Sequence, residues 1–111
     1  METPDQIVPD SGLLALVARS QVGDRDAFDD LVRSYYGRVC AVAAAVTGRE
    51  DACEEVAQET FLRAFRQIGT LREPARFLGW VCRIAEHTSQ EWIRERGRRA
   101  RLGRPEWGAG R

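Results

Sequence analysis

Apolar side chains recur along this chain at steps of three and four, the period of a helix with one buried face. Phe28, Leu31, Val32, Tyr35, Val39, Val42 and Val46 make the longest such stripe. Asp24 or Asp26 suits its N-cap, and Gly48 suits its end. Gly37 sits inside it at a cost of about 1 kcal/mol relative to alanine. A second stripe, Ala52, Val56, Phe61, Ala64, Phe65 and Ile68, follows the acids Glu50 and Asp51, which suit the positive pole of a helix N-terminus. Its opposite face carries Glu54, Glu55, Gln58, Glu59 and Arg63. Residues 69–74 read as a loop, and Pro74 suits a first helical turn. A third stripe, Phe77, Val81, Ile84, Ala85, Thr88 and Trp92, predicts a helix from about Ala75 to Arg96 or beyond. A short helix over Leu13–Ser20, capped by Ser11 and closed by Gly23, precedes them. No strand pattern competes. The predicted fold is all-α, a compact bundle of three long helices plus a short N-terminal helix. Residues 1–10, with Pro4 and Pro9, read as a flexible leader, 11–96 as the helical domain, and 97–111 as an Arg/Gly-rich linker stub or frayed helix end.

Composition narrows the function classes. The chain has 111 residues, one domain's worth, with 43% hydrophobic and 31% charged side chains, a globular rather than a disordered balance. The longest apolar run, Val39 to Val46, is far short of the roughly 20 residues of a membrane-spanning helix. No signal-peptide pattern follows Met1, so the expected location is cytoplasmic, without membrane insertion. Cys40, Cys53 and Cys82 form no CxxC pair and read as small buried or half-buried thiols. His87 is the only histidine, and its spacing from Cys82 does not align the two on one helical face, so no metal site is expected. Neither a phosphate-binding loop, a dinucleotide fingerprint nor a nucleophile elbow occurs. With no cofactor motif and no nucleophile–base pair, the expected activity is binding rather than catalysis.

Charge changes the picture more. Residues 1–62 hold five arginines against twelve acids, and residues 63–111 hold twelve against five, so the two parts carry formal charges of −7 and +7. Such segregation predicts one basic partner and one acidic partner. The chain has no lysine; Arg94, Arg96, Arg98, Arg99, Arg101 and Arg104 crowd its last stretch, more cations than a helix C-terminus needs.

Three segments carry a resemblance. Gly23-Asp24-Arg25-Asp26-Ala27-Phe28 with Leu31-Val32-Arg33-Ser34-Tyr35 looks like the opening of region two of extracytoplasmic-function sigma factors. Asp51-Ala52-Cys53-Glu54-Glu55-Val56-Ala57-Gln58-Glu59-Thr60-Phe61-Leu62-Arg63-Ala64-Phe65 closely resembles the family's most recognisable run. Arg76-Phe77-Leu78-Gly79-Trp80-Val81-Cys82-Arg83-Ile84-Ala85 resembles its promoter-reading helix. The segments stand in family order and cover about residues 12–100.

The resemblance implies a domain that binds core RNA polymerase and recognises and melts the promoter −10 element in transcription initiation. It implies docking on the clamp helices of the largest polymerase subunit through Glu54, Glu55, Gln58, Glu59 and Arg63. It implies capture of the non-template DNA strand by the loop and helix that follow, for which Arg72, Arg76, Arg83, Arg94 and Arg98 supply cations and His87 and Gln90 supply base-reading donors and acceptors. Trp80 and Phe77 are candidate stacking platforms, although Phe77 also lies on the core stripe, and Trp92 is assigned to the core. An anti-sigma factor is a further implied partner. Where the family often has a basic residue, Asn and later Asp, this chain has Glu86, His87 and Glu91, and Glu86 beside a strand repels phosphate. The family's second domain, which reads the −35 element, is absent before Arg111; the chain is either one domain of a longer factor or a protein without that recognition. The alternative function is a sigma-like protein that binds an anti-sigma factor with little DNA contact.

Overall fold

The computed structural model describes residues 11–102, in four helices: α1 Ser11–Gln21, α2 Arg25–Thr47, α3 Cys53–Gln67 and α4 Phe77–Leu102. Single 3₁₀ turns lie at Glu50–Ala52, Ile68–Thr70 and Pro74–Arg76. There is no strand among the described residues. The leader over 1–10 and residues 103–111 lie outside them.

Helix ends follow from local chemistry. Gly23, at φ +97°, reverses the chain between α1 and α2 in a conformation that costs glycine little. Asp24 then caps α2: one carboxylate oxygen accepts the Ala27 N–H at 3.1 Å and the other accepts the Arg19 Nε–H at 3.0 Å. Those bonds, the Ala27 amide foremost, hold the Asp24 carboxyl below its ordinary value. Gly48 ends α2 in the left-handed region at φ +70°, its N–H donating to Ala44 O at 2.8 Å. Pro74 opens the turn that leads into α4.

Helix α2 is the central element, packed on α1, α3 and α4. The main core joins Leu13 and Val17 of α1, Phe28, Leu31, Tyr35 and Val39 of α2, Phe61 and Ala64 of α3, and Phe77, Val81 and Ala85 of α4. Tyr35 and Phe77 rings meet at 5.5 Å and Phe28 and Phe61 at 6.5 Å. A smaller cluster of Ala43, Ala52 and Val56 closes the far end of α2 against Cys53 and Trp92.

Two sequence expectations change. Phe77 is completely buried and so is no platform for a base. Trp92 is only half-buried, because its indole N–H needs an acceptor and finds Glu55 Oε1 at 3.1 Å. Helix α4 runs through Gly97 to Leu102, within the expected end at Arg96 or beyond. Glu95 accepts from Arg98 and Arg99, and Arg99 and Arg101 lie in the last turn; these interactions oppose the modest cost of one glycine.

Candidate functional site

Two surfaces carry the candidate residues. The first is the outer side of α3 and its groove with α2. Glu54, Glu55 and Gln58 are exposed, and Gln58 Nε2 reaches Glu54 at 3.5 Å. Glu55 is engaged by the Trp92 indole. Glu59 and Arg63 are half-buried and belong to a strut between α3 and α4: Arg63 donates to Glu59 at 2.9 Å and to Glu91 at 2.6 Å, and also reaches Thr88 Oγ1 at 3.4 Å. The Arg63 hydrogen bond holds the Glu91 carboxyl below its ordinary value, and the two carboxylates, Glu91 first, push Arg63 up. Of the five residues expected on this face, Glu54 and Gln58 therefore present the freest side chains, while Glu59 and Arg63 also hold the bundle together.

Beside them lies an apolar groove of about 430 Å³ between α2 and α3, lined chiefly by Phe28, Val32, Tyr36, Phe61, Leu62 and Phe65, with Gln58 at its edge. Leu62 is 51% exposed on the polar side of α3, and Tyr36 stacks on Phe61 at 6.3 Å while remaining exposed. Arg25 lies 5.0 Å over the Phe65 ring. Leu62 and Tyr36 lie outside the apolar stripes of the sequence; each is a large apolar residue out of register with its helix's buried face. Together with Glu54 and Gln58 they form a surface suited to a helical partner that presents apolar and basic side chains.

The second surface runs along α4. Trp80, Arg83, His87, Gln90, Arg94 and Arg98 follow one another at steps of three or four, with Arg76 one step before the helix begins. At 100° per residue they fall within an arc of about 80°, centred about 130° from the stripe that packs on the core, with Trp80 at the edge nearer the core. From Trp80 to Arg98 the row spans about 27 Å at 1.5 Å per residue. All are exposed except Trp80, which is half-buried with its ring 5.9 Å from Phe77. Arg72, Arg83 and Arg94 make no salt bridge among the described residues, whereas Arg76 pairs with Glu73 at 2.6 Å and Arg98 with Glu95 at 2.6 Å. Of the acids nearby, Glu91 is taken up by Arg63 and Glu95 by Arg98 and Arg99; Glu86 is exposed on the flank of the row.

Arg72 and Arg76 stand on the segment between α3 and α4, which is exposed at Arg72, Glu73, Ala75 and Arg76. Gln21, at the end of α1, fixes the base of this segment. Its amide donates to Ile68 O at 2.9 Å and Leu71 O at 2.7 Å. No stripe or motif in the sequence pointed to Gln21.

Neither surface carries a catalytic constellation. Burial pushes the Cys40 and Cys82 thiols up, the opposite of what an activated thiolate needs. Among the described residues no cluster of His, Cys, Asp and Glu is arranged to hold a metal ion, and no helix is long and apolar enough to cross a membrane.

Residues 31–99 match the family described as Sigma-70 region 2. The chain is 38% identical over 85 residues to the ECF RNA polymerase sigma-E factor of Haemophilus influenzae, covering 77% of this chain and 44% of that protein. It is 37% identical over 84 residues to the RNA polymerase sigma-H factor of Pseudomonas aeruginosa, covering 76% and 44%. The chain thus spans less than half the length of the curated relatives it matches. Among solved structures it is similar to an engineered region 2 of sigmaE, determined by NMR in complex with GTAAAA, with a TM-score of 0.75 and 28% identity over 91% of this chain and 100% of that one.

Proposed function

Because the chain belongs to the sigma-70 region 2 family, we propose that it is the promoter-opening module of an extracytoplasmic-function sigma factor acting in the cytoplasm. In this role the α2/α3 groove with Glu54 and Gln58 docks on the clamp helices of core RNA polymerase. The row along α4, with Arg72 and Arg76, holds the unpaired non-template strand of the −10 element. The observation that carries this reading is that row: cations, an aromatic and two amide- or imidazole-bearing side chains aligned on the face turned away from the core. A single strand is held by a positive track along its phosphates and by flat surfaces for its bases, and the row offers both. No bond is made or broken. Bases seated on the protein no longer re-pair, so binding energy stabilises the opened duplex.

Co-purification with core polymerase from the source organism tests the docking half. Gln58→Arg is the cleaner probe, because a change at Glu59 also releases Arg63 from one of its two carboxylates. Retention of the wild-type chain and loss of the Gln58→Arg variant are expected; equal retention of both would remove the docking assignment. An anti-sigma factor is a further proposed partner. A role confined to titrating such a factor, suggested by Glu86 on the flank of the row, is not favoured by the sigma-factor relatives and the region 2 complex that the chain resembles. It requires that no labelled strand bind even in the presence of polymerase.

A further inference from the structure

We infer that Gln21 is a positioning residue for strand recognition, setting the segment between α3 and α4 in its reading conformation from a helix that itself carries no DNA-binding side chain. The inference rests on the proposed role of that segment in seating an unpaired base. One side-chain amide, 47 and 50 residues away in sequence, bonds two carbonyls of the same turn, Ile68 O and Leu71 O. Ile68 O also receives the Leu71 N–H at 3.1 Å, so Gln21 closes over a turn that is already formed locally. Leu71 is the pivot: its side chain is buried in the core, its backbone is extended, and the exposed Arg72 follows directly. Downstream, the hydrogen bonds of the next turn are local, the Arg76 N–H to Glu73 O at 2.8 Å and the Arg76 guanidinium to the Glu73 carboxylate. Helix α1 also packs against both 3₁₀ turns that flank the segment. The Gln21 amide is thus a long-range polar tether on the side from which the segment leaves the core.

A carbonyl accepts and an amide N–H₂ donates, so the bond pattern distinguishes side chains. Methionine has nearly the length and volume of glutamine and no donor. Lysine keeps the reach and restores donors to both carbonyls. Gln21→Met is expected to free the segment, and Gln21→Lys to hold it.

The readout is base discrimination, which a general loss of stability does not move selectively. A randomised pool of single-stranded hexamers is selected on the wild-type chain with core polymerase. The enriched hexamer and its single-base substitutions are then compared by fluorescence anisotropy for wild type, Gln21→Met, Gln21→Lys and Arg83→Ala. The wild type is expected to discriminate by about tenfold or more at its preferred bases. In Gln21→Met, discrimination at one or two adjacent positions falls toward unity, with the dependence on salt unchanged because the α4 arginines are untouched. Gln21→Lys restores it. Hydrogen exchange on the same variant separates folding from positioning: amides of 68–76 lose protection while those of α2 and α3 keep it. Discrimination in Gln21→Met equal to wild type, with Arg83→Ala weakened as expected, overturns the tether alone. So does a uniform loss across all bases with exchange rising throughout the bundle. Failure of the wild-type chain to enrich any strand overturns the strand-capture reading, and the inference with it.

Discussion

At the scale of single residues, Arg63 and Phe77 show how position settles a role that residue type leaves open. Arg63 falls by motif on the proposed docking face, yet its guanidinium spans to Glu91 on α4. Arg63→Met keeps the aliphatic stem and removes three donor contacts. With both carboxylates near half exposure, solvent screening limits the loss to about 1 kcal/mol, read as a fall in urea midpoint. The loss depends on pH in a defined direction. Glu91 is held below its ordinary 4.5 in the folded chain by Arg63, so its contribution is complete above that value and disappears as pH falls through the depressed one. The difference between wild type and Arg63→Met is therefore expected to be full near neutral pH and to shrink in acid. A gap that widens in acid would refute the pairing. Phe77 and Trp80 stand three residues apart and offer the same ring chemistry, but only Trp80 has an open face. Phe77→Ala empties a core site and is expected to cost about 3–5 kcal/mol of stability. Trp80→Ala is expected to cost much less stability and to weaken strand binding by about 1–3 kcal/mol, the range of a lost base stack. Thermal melts and strand titrations of the two variants separate the roles.

At the scale of elements, backbone conformation decides what glycine does in α2. Gly37 lies mid-helix, exposed, with open space where a Cβ would stand. Gly37→Ala is expected to stabilise the chain by about 0.5–1 kcal/mol, because alanine narrows the unfolded ensemble and favours the helix. Gly48 also has open space but sits at φ +70°. Gly48→Ala is expected to destabilise by about 1 kcal/mol, since a Cβ there meets its own backbone. Urea unfolding with an unchanged slope checks both, and the opposite signs are the point of the pair. These helices were legible in the sequence because their signals are local: a stripe at helical spacing, Asp24 before α2, Gly48 after it. The row on α4 was half legible. Its members were named one by one from the family resemblance, and their common face follows from the same helical period that marked the core. What stayed hidden depends on contacts across the chain. Gln21 looks like any polar residue near a helix end until the fold brings Ile68 and Leu71 to it. The sequence leaves the end of α4 open at Arg96 or beyond for another reason: composition past Gly97 resembles a linker, while Glu95 with Arg98 and Arg99 supplies helical pairing that composition does not display.

At the scale of the whole molecule, the split of −7 and +7 becomes two neighbouring surfaces rather than two halves. Helix α4 turns one side to α3, where Glu55, Glu59, Glu91 and Glu95 line a shared groove around Arg63, and turns the next side to solvent as the basic row. A net charge of zero therefore conceals an acidic groove beside a basic row, the segregation that the two proposed partners, one basic and one polyanionic, call for. The arginines of the row are not equivalent in this respect. Each phosphate neutralised on a single strand contributes about −0.7 to the slope of log affinity against log salt. Arg83 and Arg94 have no carboxylate at salt-bridge distance among the described residues, and only Arg94 feels one nearby, Glu91, which Arg63 already holds. Arg98 already shares Glu95 with Arg99, and a phosphate must compete with that carboxylate. Arg83→Ala and Arg94→Ala are each expected to flatten the salt slope by about 0.7, and Arg98→Ala by clearly less. Gln58→Arg, on the other surface, is expected to abolish polymerase retention while leaving the slope for the isolated chain where it was. Titrations of a labelled hexamer across a range of potassium chloride concentrations read all four. Equal flattening by Arg83→Ala and Arg98→Ala would mean that the internal ion pairs do not govern which arginines meet the strand. No flattening by either Arg83→Ala or Arg94→Ala would move the phosphate track off α4 altogether.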